Sequence, residues 1–105
     1  MNLNNAILVD NVENLKKFID YCKSQVTTSE LDQLRPSLGF NLDYDLSQVK
    51  AHPEVDLSKS VIVDNKSNLL AFIKYFTHKL STIQLDELRS QCGFNLIPFT
   101  EFSEV

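Results

Sequence analysis

Two apolar triplets, Ile7-Leu8-Val9 and Val61-Ile62-Val63, stand 54 positions apart, and the same alternation of polar and apolar residues follows each. Short runs of β-branched and aliphatic residues bounded by polar ones predict buried strands. Behind the first triplet, Leu15, Phe18, Ile19, Cys22 and Val26 recur at i, i+3, i+4, i+7 and i+11. Leu69, Phe72, Ile73, Phe76 and Leu80 keep that spacing behind the second. At 3.6 residues per turn this makes one stripe along an amphipathic helix. Asp10-Asn11 and Asp64-Asn65 precede the helices, and either residue type accepts hydrogen bonds from the free N–H groups of a helix start.

A second helix opens at once. Thr27-Thr28-Ser29-Glu30 and Ser81-Thr82-Ile83-Gln84 both match the capping box, in which a hydroxyl and a carboxylate or amide satisfy each other's backbone N–H. Leu31, Leu34 and Leu38 then form a short apolar face, answered by Leu85, Leu88 and Cys92. The chain's two glycines, Gly39 and Gly93, fall where this helix has to end. They predict a left-handed terminal residue, with Phe40 or Phe94 packed back on the last turn. Pro36 removes an internal hydrogen bond and is expected to weaken or shorten the first copy's helix. Phe40, Leu42, Tyr44 and Leu46 alternate with polar residues, which predicts a half-exposed strand. Phe94-Asn95-Leu96 begins alike but meets Pro98, so a strand there is short or at an edge.

Aligning residues 7–42 with 61–96 gives 17 identities over 36 positions without a gap. The predicted fold is therefore α+β, a tandem duplication of a β-α-α-β unit forming one pseudo-twofold domain with a shared core. Its parts are repeat 1 (7–42), a linker (43–60), repeat 2 (61–96) and a C-terminal tail (97–105). A unit this short cannot bury enough apolar surface to offset its chain entropy, so the two are expected to close on each other. The alternative is an all-α bundle of two helix pairs, in which residues 7–9 and 61–63 are helix lead-ins rather than strands.

Charge narrows the function. The net charge is −4, with −1 on residues 7–42, +1 on 61–96 and the remaining acidity in the linker and tail. No coherent basic surface is available to neutralise phosphates, which argues against nucleic-acid binding. No polybasic patch addresses a membrane. The opening MNLNNAILVD lacks a basic region and a long apolar run, so no signal or membrane span is expected. Cys22 and Cys92, the two cysteines, form no metal-type pair, and a reduced cytoplasmic protein is the default expectation.

No phosphate loop, HExxH, CxxC or apolar carboxylate pair is present, so catalytic, cofactor-binding and metal-ligating residues are all expected to be absent, with no small-molecule substrate. The candidates are contact residues. Asp32 with Arg35, and Asp86 with Arg89, lie three apart on the second helices and can pair or anchor a partner. Tyr21 and Tyr75 sit off the apolar stripe, a position suited either to rim packing or to a contact surface. Lys16-Lys17 become Leu70-Ala71 in the second copy, so Leu70 widens the apolar stripe and calls for cover by the tail (Phe99, Phe102), the linker or another chain. Asn14, Asn41, Asn68 and Asn95 read as caps or loop braces, and both cysteines as core filler.

Smallness, acidity and the missing catalytic equipment point to a protein-binding module, of the inhibitor or immunity type found in bacteria and mobile genetic elements. Its partner would be another protein or a second copy. The competing reading is a regulator that contacts nucleic acid through its paired short helices.

Overall fold

The computed structural model describes residues 5–46, 49 and 55–98. It is mixed α+β, with four helices and a four-stranded antiparallel sheet, so the all-α alternative falls. The strands are β1 (Ile7–Val9), β2 (Leu42–Asp43), β3 (Val61–Val63) and β4 (Leu96–Ile97). The helices are α1 (Val12–Ser24), α2 (Thr28–Leu38), α3 (Lys66–Lys79) and α4 (Thr82–Gln91). A 3₁₀ turn, Leu57–Lys59, leads into β3.

The two triplets pair with each other at the centre of the sheet, Ile7 opposite Val63, Leu8 opposite Ile62 and Val9 opposite Val61. All six residues are buried, because both faces of these strands are covered. On one face Ile7, Val9, Val61 and Val63 pack with Leu15 of α1 and Leu69 of α3. On the other, Leu8 and Ile62 meet Leu46, Val49, Val55 and Leu57. The linker, expected to be a plain connection, thus supplies half of the cover for the central strands. A strand buried on both sides needs an unbroken apolar run, and the triplets are such runs.

The outer strands cross between the two halves of the chain. The sheet order is β2-β3-β1-β4, so β2, from residues 7–42, lies against β3 of residues 61–97, and β4 lies against β1. Four aromatic rings interleave beneath in the same way. Phe94 stands edge-on to Phe18 at 5.7 Å, Phe18 to Phe72 at 6.2 Å, and Phe72 to Phe40 at 5.8 Å. Phe40 and Phe94 were expected to pack on their own helices; each instead also reaches the long helix of the other copy.

Helix starts follow the sequence closely. Asn11 and Asn65 are the caps of α1 and α3, each accepting the backbone N–H three residues on. Ser81 and Gln84 complete a reciprocal capping box. Thr27 accepts from the Glu30 backbone N–H and its hydroxyl donates to Glu30 Oε1 at 3.4 Å, while Glu30 Oε2 binds Lys79 of α3 at 2.9 Å.

Three local expectations are corrected. No described glycine has a positive φ; Gly39 sits at φ −71°, ψ 137°, an extended conformation open to any residue. Space is the reason for glycine there, since a Cβ would lie 2.7 Å from the Arg35 carbonyl oxygen, and 3.2 Å from that of Arg89 in the case of Gly93. Pro36 does not shorten α2, which runs 11 residues against 10 for α4. It lies in the last exposed turn, where the carbonyl it leaves unserved is open to water. The strand expected over residues 40–46 is only Leu42–Asp43. The Asp45 N–H donates to the Asp43 side chain at 2.9 Å, a local turn that ends the pairing.

Candidate functional site

The long and short helices of each copy enclose an apolar groove beside an outer strand. The first holds about 410 Å³, with Ile19 of α1, Leu31, Leu34 and Leu38 of α2, Phe40 and Phe72 among its walls. The second holds about 310 Å³ and is built from Ile73, Leu85, Leu88, Cys92, Phe94 and Phe18 among others. Every residue lining the first groove, except Lys16 and Asp20, has its partner at the 54-residue offset lining the second. Similar local sequences have folded into similar walls.

Their filling differs. In the second groove Leu88 and Cys92 are buried. In the first, α2 buries no residue at all, and Leu31, Leu34 and Leu38 are each only half covered. Eleven residues of helix rest on the protein through a leucine face that remains partly open. The mouths differ as well. Lys16, Lys23 and Arg35 line the first groove with Asp20 as the one carboxylate, whereas the second has Thr77 in place of Lys23 and Arg89 as its cation.

The expected contact residues fall in several places. Arg35 binds Asp32 at 3.1 Å and Arg89 binds Asp86 at 3.5 Å, all four strongly exposed. Each arginine also lines the groove of its own copy. Tyr21 is half-buried, and its hydroxyl accepts the Gln84 side-chain amide at 2.9 Å, tying α1 to α4. Tyr75 is half-buried too, stacked edge-on against Phe76, with the Lys79 ammonium 5.9 Å from its ring centre. Leu70 is 45% exposed. Of the tail proposed to cover it, Ile97 belongs to β4, while residues 99–105, with Phe99 and Phe102, lie outside the described residues, as does His52-Pro53.

Sequence reasoning singled out Lys16 for its contrast with Leu70 but did not foresee Lys23, Asp20 or the open leucine face. The relevant signal was there, in the substitutions Lys16/Leu70, Asp20/Lys74 and Lys23/Thr77 along one stripe of α1 and α3.

Four of the six asparagines that recur at the 54-residue offset hold the two halves of the chain together. The Asn95 backbone N–H and side-chain amide donate to Asp10 at 2.7 and 3.0 Å, and Asn41 does the same to Asp64 at 2.7 and 3.1 Å. The Asn14 amide donates to the Gly93 carbonyl at 2.8 Å, and the Asn68 amide to that of Gly39 at 2.7 Å. These braces fix the floor on which each groove stands.

Cys22 and Cys92 are buried in one apolar cluster. Burial pushes the Cys22 thiol up to about 12, with Cys92 adding to the rise, so at neutral pH it is a small neutral core group. Among the described residues no three of His, Cys, Asp and Glu gather as a metal ligand set, and no helix is long and apolar enough to cross a membrane.

No protein-family model matches the chain, and comparison with curated proteins and with solved structures gives no match.

Proposed function

We propose that this chain is a non-catalytic protein-binding module, built from a duplicated unit with pseudo-twofold symmetry, and that its partner docks in the first groove. The observation that carries the reading is the leucine face of α2, on which Leu34 and Leu38 stay partly exposed where Leu88 and Cys92 are buried, Leu31 and Leu85 being partly exposed alike. Burying the part of these three leucines that is still exposed would remove apolar surface from water, worth roughly 25 cal/mol per Å². An open stripe beside a rigid sheet is a suitable docking surface for that purpose. The second copy serves as scaffold: its strand and helix complete the sheet and core against which the first groove is held. A role as an inhibitor or immunity-type protein suits a small acidic chain of this kind, since such proteins act by occupying a partner.

The test places a photo-crosslinking residue at position 35 and, in a second variant, at position 89, inside the cells that make the protein. Position 35 should give one discrete crosslinked species and position 89 none. Silence at 35, or the same species from both positions, defeats the reading. A crosslink only to a second copy of the chain would replace a foreign partner by self-association.

A further inference from the structure

We infer that the occupant of the first groove is an amphipathic helix bearing carboxylates beside its apolar stripe; this rests on the docking role just proposed. Leu31, Leu34 and Leu38 follow i, i+3, i+7, so the open stripe extends over two turns, about 10 Å along α2. A helix with apolar residues at the same spacing matches that length, as in other helix-in-groove complexes. A strand is a poorer occupant. The nearby sheet edge is β2, two residues long and ended by the Asp43–Asp45 turn. A small polar ligand would need convergent polar groups on the floor. That floor is leucine, isoleucine and phenylalanine, and no buried side-chain nitrogen or oxygen among the described residues lacks a partner.

Charge at the mouth selects the helix. Lys16 and Lys23 both stand on α1, two turns apart, while Arg35 faces them from α2. Asp20 lies between the lysines, Asp32 takes part of the Arg35 charge at 3.1 Å, and Lys16 rests 5.1 Å from the centre of the Tyr44 ring. The three cations still outnumber the two acids. Carboxylates two turns apart on the incoming helix would meet Lys16 and Lys23, and a third on its other flank would meet Arg35. The second copy has Leu70 and Thr77 where these lysines stand and Lys74 where Asp20 stands, so the pair of lysines two turns apart belongs to the first groove alone. Exposed pairs of this kind set orientation and encounter rate more than raw affinity, and they weaken with salt.

The experiment titrates the full-length protein, followed by amide NMR at low salt, with three helical peptides of about 15 residues. One carries a leucine stripe flanked by glutamates, the second replaces those glutamates by lysines, and the third scrambles the Leu/Glu sequence. The Leu/Glu peptide should shift amides of residues lining the first groove and leave those of the second unmoved. Lys16→Glu with Lys23→Glu should weaken it about tenfold, from two reversed exposed pairs. Equal or tighter binding of the Leu/Lys peptide overturns the acidic class but leaves the groove reading standing. If no peptide moves the groove amides, or the scrambled peptide matches the ordered one, both fall. Equal shifts in both grooves overturn the assignment to the first.

Discussion

The carboxylate of Asp10 is held by Asn95 through two hydrogen bonds, 2.7 Å from the backbone N–H and 3.0 Å from the side-chain amide, across 85 residues of chain. Asp64 and Asn41 make the same pair at the opposite end of the central strands. Each carboxylate also sits where the chain of one copy turns from strand to helix, so the clasp joins the helix start of one copy to the outer strand of the other. Hydrogen bonds to a charged acceptor contribute about 1.5–3 kcal/mol when shielded and less when exposed, as here. Asp10→Ala and Asp64→Ala should each cost about 1–2 kcal/mol in urea unfolding. The two sites lie at opposite ends of β1 and β3, and their costs should add to within about 0.5 kcal/mol. A double variant no less stable than either single one would show that the clasps do not act independently.

Gly39→Ala and Gly93→Ala should differ, although the glycines occupy matched positions. Neither backbone needs a positive φ, so alanine brings no conformational strain of that kind and reduces unfolded-state freedom. At Gly39 the new methyl would sit 2.7 Å from a backbone oxygen and force a shift, at a cost of about 1–3 kcal/mol. At Gly93 the 3.2 Å approach needs only a slight adjustment, and the net change should stay within about 1 kcal/mol. Thermal unfolding of the two variants decides it, and equal losses would refute the steric account.

The Glu30–Lys79 pair makes stability depend on pH in a definite window. Its hydrogen bond to Lys79 holds the Glu30 carboxyl below its ordinary 4.5, and Glu30 holds the Lys79 ammonium above its ordinary 10.5. The Glu30 contribution is complete above 4.5 and disappears as pH falls through the lowered value. The Lys79 contribution is complete below 10.5 and disappears as pH rises through the raised one. Glu30→Gln, which places there the residue found at position 84, should lower the unfolding temperature slightly between these limits and not outside them. Added salt should narrow the difference, since the pair is at the surface.

Cys22 should resist alkylation in the folded protein. With the thiol near 12, roughly one molecule in ten thousand carries the thiolate at pH 8, and the sulfur is fully buried. Iodoacetamide should leave it unmodified over hours, then label it quickly in urea, as peptide mass mapping would show. Prompt labelling in the native state would mean that the cluster around Cys22 opens readily.

The crossed strand pairing predicts that the two halves of the chain stay together once the linker is cut. A protease site inserted between residues 50 and 54 should yield two fragments that co-elute in size-exclusion chromatography and separate only in denaturant. The paired strands, interleaved phenylalanines and two aspartate clasps all cross between them. Fragments that part under native conditions would show that the linker, rather than the interface, holds the fold.

Much of the fold was legible because it is local. An apolar triplet of β-branched and aliphatic residues, a stripe at helical spacing and a hydroxyl three residues before Glu or Gln act within a few residues, and strands, helices and caps formed where these patterns stand. The misread features depend on distant parts of the chain. Gly39 looked like a left-handed cap, yet its carbonyl serves Asn68 and its missing Cβ leaves room for the Arg35 oxygen. The alternation over residues 40–46 looked like a longer strand, but it stops after Asp43, where the chain turns to send Leu46 under Leu8 and Ile62.

The sequence by itself determined the element types, their order and the likeness of residues 7–42 to 61–96, since backbone geometry and side-chain periodicity are set by near neighbours. Tertiary closure alone decided that each outer strand pairs with the other half of the chain, and that the linker covers the far face of the sheet. It also decided that Leu34 stays half-covered while Leu88 is buried. Those two leucines sit in nearly the same local sequence. What separates them is which side chains, from elsewhere in the chain, arrive to cover each one, and no window of neighbouring residues holds that information.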